Sequence, residues 1–162
     1  MKRVLFLIIT LVAGATAAEP EVTREGNYIT YTVEQTYPIQ KAPVQIELND
    51  FIGDIYIDGE NRQDIHFREV IRIRSRGEKE AKALWEKLHT GLTADEYGYS
   101  ASQKKAPKVD FFRKTKVEYT LTLPVNANVS IETLGGDLDI HSITGDMELF
   151  TAGGDVQARK LN

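Results

Sequence analysis

The feature that most limits what this chain can fold into is a Gly-Asp pair returning every nine residues near its end: Gly136-Asp137, Gly145-Asp146 and Gly154-Asp155. The stretch from Val129 to Ile140 aligns eighteen residues later with Met147 to Ala158, apolar position on apolar position. A fourth copy, from Ile46 to Ile57, carries Gly53-Asp54 in register. Each unit offers two apolar residues two apart, facing inward from a short strand. Gly-Asp then turns the chain, where positive φ or an Asx-type bond is needed. Such strands cannot bury an apolar face alone, but stacked coils share a narrow core. The expected fold is therefore mainly β, with short solenoid or β-helix-like coils over residues 129–162. Gly53, Asp54, Gly136, Asp137, Gly145, Asp146, Gly154 and Asp155 are its expected turns.

Glycine–aspartate nonapeptides also form calcium-binding rolls, but those follow the pattern G-G-x-G-x-D-x-U-x. Here each aspartate directly follows its glycine. The expectation is that Asp137, Asp146 and Asp155 stack along one edge and turn the chain, with no metal and no cofactor.

The remaining chain reads as further strands with one helix. Tyr28 to Thr32 has β-forming residues throughout and is expected as an edge strand, after a loose leader over Glu19 to Gly26. Apolar residues alternate at Val44, Ile46 and Leu48, at Ile55 and Ile57, at Ile71 and Ile73, and from Val117 to Leu123. Between them, Ala81, Leu84, Trp85 and Leu88 fall on one helical stripe, with acids in the first turn and Lys87 near the end. This helix is expected to cover a sheet, with Trp85 in the core rather than exposed for sugar stacking. Tyr97-Gly98-Tyr99 suggests a strand fragment.

The chain begins as a secretory leader does. Met1-Lys2-Arg3 is a positive segment, Val4 to Ala13 is apolar, and Gly14 to Ala18 supplies the small residues of a cleavage site. The apolar run is about half the ~20 residues a membrane-spanning helix needs. The division expected is a signal peptide over residues 1–18 and one domain over 19–162. No cysteine occurs, so lipid attachment at the cleavage site and disulfides are both excluded. Loss of Lys2 and Arg3 takes 20 basic residues to 18, against 24 acidic ones, a net charge of −6. That balance argues against a nucleic-acid partner.

Catalytic motifs are absent: there is no Gly-x-Ser-x-Gly elbow, His-Glu-x-x-His helix or P-loop. The carboxylates of Asp137 and Asp139 read as a solvated strand face. One segment opposes the acidic average: Lys104, Lys105, Lys108, Arg113, Lys114 and Lys116 surround Phe111-Phe112. It is a candidate anion-binding patch, set against the plainer reading of a solvated loop with two core phenylalanines.

The run from Leu121 to Ile140, Leu-Thr-Leu-Pro-Val-Asn-Ala-Asn-Val-Ser-Ile-Glu-Thr-Leu-Gly-Gly-Asp-Leu-Asp-Ile, resembles the bacterial putative adhesin family of β-solenoid domains. That group is related to the GIN-type head of auto-transporter adhesins. The resemblance spans about Val44 to Leu161, with the middle poorly matched. It implies an exported, non-catalytic protein of the periplasm or cell surface, acting by binding or scaffolding on a protein or glycan partner. The enzymatic alternative is a polysaccharide lyase or hydrolase on a β-helix. Family members continue through further Gly-Asp coils, whereas this sequence stops at Asn162. Either the protein is unusually short or the sequence is truncated; for a complete chain the expectation is an open last coil, through which copies could self-associate.

Overall fold

The structure, a computed structural model, describes residues 18–103 and 113–160. Twelve strands and one helix follow in the order β1 (Glu21–Glu25), β2 (Tyr28–Pro38), β3 (Val44–Ile52), β4 (Asp54–Glu60), β5 (Asp64–Arg74), α1 (Glu78–Leu88), β6 (Thr93–Ala94), β7 (Gly98–Ser102), β8 (Thr115–Pro124), β9 (Ala127–Gly135), β10 (Leu138–Ile143), β11 (Met147–Thr151) and β12 (Val156–Lys160). They form two open sheets. The seven-stranded sheet runs β1-β2-β5-β8-β4-β10-β12, and the five-stranded sheet runs β11-β9-β3-β7-β6. In the longer strands, β2 to β5 and β8 to β10, period-two alternation places one face in a shared core. Ile46, Leu48, Phe51, Ile55, Phe67, Tyr119 and Leu121 are essentially inaccessible there.

The protein is mainly β with one helix, but both sheets are mixed rather than uniformly parallel as a solenoid requires. In the larger sheet β1, β2, β5 and β8 pair antiparallel, and the direction changes at β8, which pairs parallel with β4. The antiparallel strands alternate apolar residues as cleanly as the coils do, so hydrophobic pattern alone did not separate the two modes.

Where the Gly-Asp units lie, strands stack parallel: β3, β9 and β11 in one sheet, β4, β10 and β12 in the other. From β9 and β10 to β11 and β12 the pairing repeats at eighteen residues, so successive nine-residue units supply strands to alternate sheets. This moves the aspartates from the expected single edge to two corners. At one corner, Asp137 N donates to Asp54 Oδ1 at 3.1 Å and Asp155 N to Asp137 Oδ1 at 2.9 Å. At the other, Asp146 N donates to Asn128 Oδ1 at 3.0 Å. Glycine is required where coils touch: a Cβ on Gly136, whose φ is +119°, would lie 2.1 Å from the Gly53 carbonyl oxygen.

Two local expectations change. Tyr28–Thr32 begins an eleven-residue strand that is interior to the sheet. The supposed loose leader supplies the edge, β1. Every residue of Glu-Val-Thr-Arg-Glu is exposed, so it carries no apolar alternation. Its backbone pairing with β2, through a turn with Gly26 at φ +58°, holds it. The helix lies over β5 and β2. Ala81 and Leu88 are buried, whereas Trp85 is half-buried between Tyr31 and His89, at ring separations of 5.3 and 4.8 Å.

Candidate ligand-binding cleft

Four parallel strands, β7, β3, β9 and β11, present the outward face of the smaller sheet. Because residues in register sit about 4.8 Å apart across strands, outward positions form rows. One row is Gly98, Gln45 and Asn128, continued at the coil corner by Asp146. The next is Ser100, Glu47, Ser130 and Glu148. A cleft of about 280 Å³ lies along them, and the four strands span roughly 14 Å at that spacing.

The cleft is concave for a local reason. At Gly98 a Cβ would come 2.1 Å from the Gln45 carbonyl oxygen, so that position of the row has no side chain. The turn between β6 and β7 rises beside it as a wall carrying Asp95 and Tyr97. Asp95 Oδ1 accepts from Tyr97 N at 2.8 Å and Gly98 N at 2.9 Å, bonds that fix the turn and hold its carboxyl below the usual range. Tyr97 is 56% exposed, with the Lys41 ammonium 5.8 Å from its ring centre. On the opposite wall stand Asp146 and Glu148 of the last coil.

The hydrogen-bonding capacity of the cleft follows from its internal bonds. Asn128 uses its Oδ1 on Asp146 N, which turns its amide NH₂ outward as a donor. Glu47 accepts from Asn49 Nδ2 at 2.6 Å and keeps a second carboxylate oxygen. Ser130 supplies a hydroxyl, and among the described residues no lysine or arginine lines the cleft. The surface therefore combines an aromatic plate with carboxylate acceptors and amide and hydroxyl donors. Such a surface suits hydroxyl-rich or amine-bearing ligands and disfavours anions.

A second polar group is buried on the other side of the core, under the helix. Glu69, inaccessible on β5, meets His89 Nδ1 at 2.5 Å and accepts from Thr90 N at 3.0 Å. Gln103 links the Leu88 carbonyl to the Tyr119 hydroxyl and accepts from Ile52 N. Burial raises both the Glu69 carboxyl and, strongly, the Tyr119 phenol. With Glu69, Gln103 and Tyr119 buried and His89 half-buried, this network fastens the end of α1 to the sheet.

The residues singled out from sequence fall elsewhere. Gly53-Asp54, Gly136-Asp137 and Gly154-Asp155 form one corner of the coil stack, and Gly145-Asp146 the other. Among the described residues no group of three or more His, Asp or Glu is arranged to hold a metal. Asp139, read beside Asp137, instead pairs with His141 Nε2 at 2.6 Å on the larger sheet. Lys104, Lys105, Lys108 and the two phenylalanines lie outside the described residues. Of the other basic residues, Lys114 pairs with Glu80 at 3.5 Å, and Lys116 with Glu118 at 2.9 Å and Asp54 at 3.7 Å, while Arg113 is exposed. Apart from Asp146, which was expected only as a turn residue, the cleft residues were not singled out in the sequence, yet a signal was present. Asn128 and Asp146, and Ser130 and Glu148, are eighteen residues apart, so the coil period already placed each pair side by side.

No protein-family model and no curated protein matches the chain. Solved structures do. A putative cell adhesion protein from Clostridium sporogenes ATCC 15579 superposes with a TM-score of 0.52 over 78% of this chain and 60% of its own, at 13% identity. A putative adhesin from Bacteroides fragilis NCTC 9343 gives a TM-score of 0.48 at 20% identity, over 80% of this chain and 55% of its own. The chain thus spans less than two thirds of either protein. The likeness to the first is one of fold.

Proposed function

We propose that this chain is an exported, adhesin-like binding module without catalysis, which engages its ligand on the outer face of the five-stranded sheet. The observation that carries the reading is the cleft beside Tyr97, whose rows of carboxylate, amide and hydroxyl groups include no basic residue among the described ones, the Lys41 ammonium lying over the tyrosine ring rather than in the rows. A fold shared with a putative cell adhesion protein and a secretory-type leader both accord with it. Among the described residues no helix is long and apolar enough to cross a membrane. The ligand class is a neutral or amine-bearing glycan of a cell envelope or surface. Tyr97 stacks on a sugar face, and Glu47, Asn128, Ser130 and Glu148 bond its hydroxyl or amino groups.

The test is binding of the mature protein to immobilised glucan, glucosamine and polygalacturonate oligosaccharides. Binding to one of the first two, weakened at least tenfold in Tyr97→Ala and in the Glu47→Gln/Glu148→Gln double variant with unchanged thermal melting, supports the proposal. Binding to polygalacturonate alone, or binding that survives both variants, refutes it.

A further inference from the structure

The two rows of the cleft are chemically unlike, and one of them is periodic. Ser100 on β7, Glu47 on β3, Ser130 on β9 and Glu148 on β11 stand in register, so hydroxyl and carboxylate alternate from strand to strand. With strands about 4.8 Å apart, the two carboxylates recur at about 9.6 Å with a serine midway. The facing row of Gly98, Gln45, Asn128 and Asp146 lies two residues away along the strands, about 6.6 Å. The groove between the rows therefore runs across the strands, starting at the Tyr97 wall.

Charge along this groove is uncompensated. On the outer face of the larger sheet, carboxylates stand beside bases: Glu34 by Arg68 and Glu118 by Lys116, each at 2.9 Å. Glu47 and Glu148 are exposed, and among the described residues no lysine or arginine lines the groove with them. Asn49 Nδ2 donates to one Glu47 oxygen at 2.6 Å, which orients that carboxylate and leaves its second oxygen to a ligand. Two anionic positions set two strands apart match a ligand with cations at the same repeat. A pyranose chain joined 1,4 through equatorial bonds turns over at each sugar. One edge of it shows the ring-2 substituent only at every second sugar, with a hydroxymethyl group between. Two sugars of such a chain span close to the distance from β3 to β11.

Given the ligand-binding reading of the cleft, on which this step rests, we propose that the ligand is a linear 1,4-linked amino-sugar chain laid across the strands. Glu47 and Glu148 each hold the ammonium of alternate sugars, and Ser130 bonds the hydroxymethyl group between them. One sugar stacks on Tyr97 over β7, and the next three lie over β3, β9 and β11. The sugar over β9 turns its own nitrogen toward the facing row, where Asp146 stands beside Asn128. A neutral glucan leaves both carboxylates without a counter-charge, and an acidic polysaccharide is repelled by them.

The test is calorimetric binding of the mature protein to glucosamine oligomers of increasing length, at mildly acid pH, which keeps their amines charged. N-acetylated and 1,4-glucan oligomers of equal length serve as comparisons. The trimer is the shortest oligomer that reaches both carboxylates, so affinity should rise about tenfold or more from dimer to trimer. Neither comparison series should show that step, and Glu47→Gln and Glu148→Gln should each remove it. The double variant Ser130→Glu/Glu148→Ser keeps the charge and composition of the row but sets the acids on adjacent strands, and it too should lose the step. Thermal melting monitors folding; if the double variant does not fold, the two glutamine variants decide. A smooth rise with length, a glucan trimer bound as tightly as the glucosamine trimer, or a step that survives in any folded variant overturns the amino-sugar assignment. Under those outcomes weakened binding in Tyr97→Ala still upholds the cleft as the binding site, whereas no binding of any oligomer overturns both.

Discussion

The coil stack and the antiparallel region share one core but are specified by different means. In the stack, backbones meet at glycine corners, and aspartates of one coil accept hydrogen bonds from the next. In the antiparallel region, β2 and β5 pair over eleven residues without a break in register. There the distinguishing features are side chains: Tyr119 between Phe51 and Phe67, at ring separations of 4.7 and 6.2 Å, and Glu69 held beneath the helix. One region depends on where side chains are absent, the other on which side chains are present. Substitutions should therefore separate them, with added methyl groups damaging the first and altered polar groups the second.

The largest expected effect is at the glycine corner. Gly136→Val forces a β-branched residue to φ +119° and drives its Cβ to 2.1 Å from the Gly53 carbonyl oxygen. A loss of about 4 kcal/mol or more is expected in urea unfolding, from backbone strain added to overpacking. Gly153→Ala, one residue before the next corner and with nothing within 4 Å of its added Cβ, should change stability by less than about 0.5 kcal/mol. Equal losses at both positions would show that the corner is not the limiting contact.

On the antiparallel side, the informative substitution changes charge rather than volume. Burial raises the Glu69 carboxyl above its ordinary 4.5, outweighing the lowering by His89 and Thr90. The folded state therefore holds this proton more tightly than the unfolded chain. Glu69 adds stability at acid pH that is lost as pH rises from 4.5 through the raised folded value. Glu69→Gln keeps an acceptor for Thr90 N and cannot ionise. Its stability relative to the wild type should increase as pH rises through that window and level off above it. A constant difference between the two proteins from pH 4 to 8 would contradict this account. Glu69→Ala, which leaves Thr90 N and His89 without their partner, should cost about 2–4 kcal/mol at the acid end of that range and less as pH rises, because the wild type alone loses the Glu69 contribution.

The same division explains what could be read from the chain. The coil turns were legible because stacking repeats one local demand, positive φ and no Cβ, at Gly53, Gly136 and Gly154. The helix was legible because its stripe and its end charges agree. The assignment of nine-residue units to successive coils failed because two corners of one coil use similar residues. Only the hydrogen bonds reveal that Asp146 belongs with Asn128 and not with Asp137. Strand β1 was invisible because a fully exposed edge has no hydrophobic period. Glu69 was invisible for the opposite reason: in Glu-Val-Ile-Arg-Ile it looks like an ordinary polar neighbour of apolar residues. Its burial is set by β8 and by the chain after the helix, which are distant in sequence. The cleft needed both the eighteen-residue period and the unpredicted wall at Tyr97.

The smallest effect probes whether the aspartate ladder supports the stack or merely decorates it. Asp137 has neighbours on both sides: its N–H donates to Asp54 and its carboxylate accepts from Asp155 N. Asp155 ends the described ladder, donating to Asp137 while its own carboxylate meets no partner among the described residues. Asp137→Ala removes one solvent-exposed bond and should cost about 1 kcal/mol, whereas Asp155→Ala should fall within about 0.5 kcal/mol of the wild type. Both substitutions delete one exposed carboxylate, so general charge effects are similar and the difference isolates the inter-coil bond. If Asp155→Ala proves as costly as Asp137→Ala, the aspartates act through their own turns.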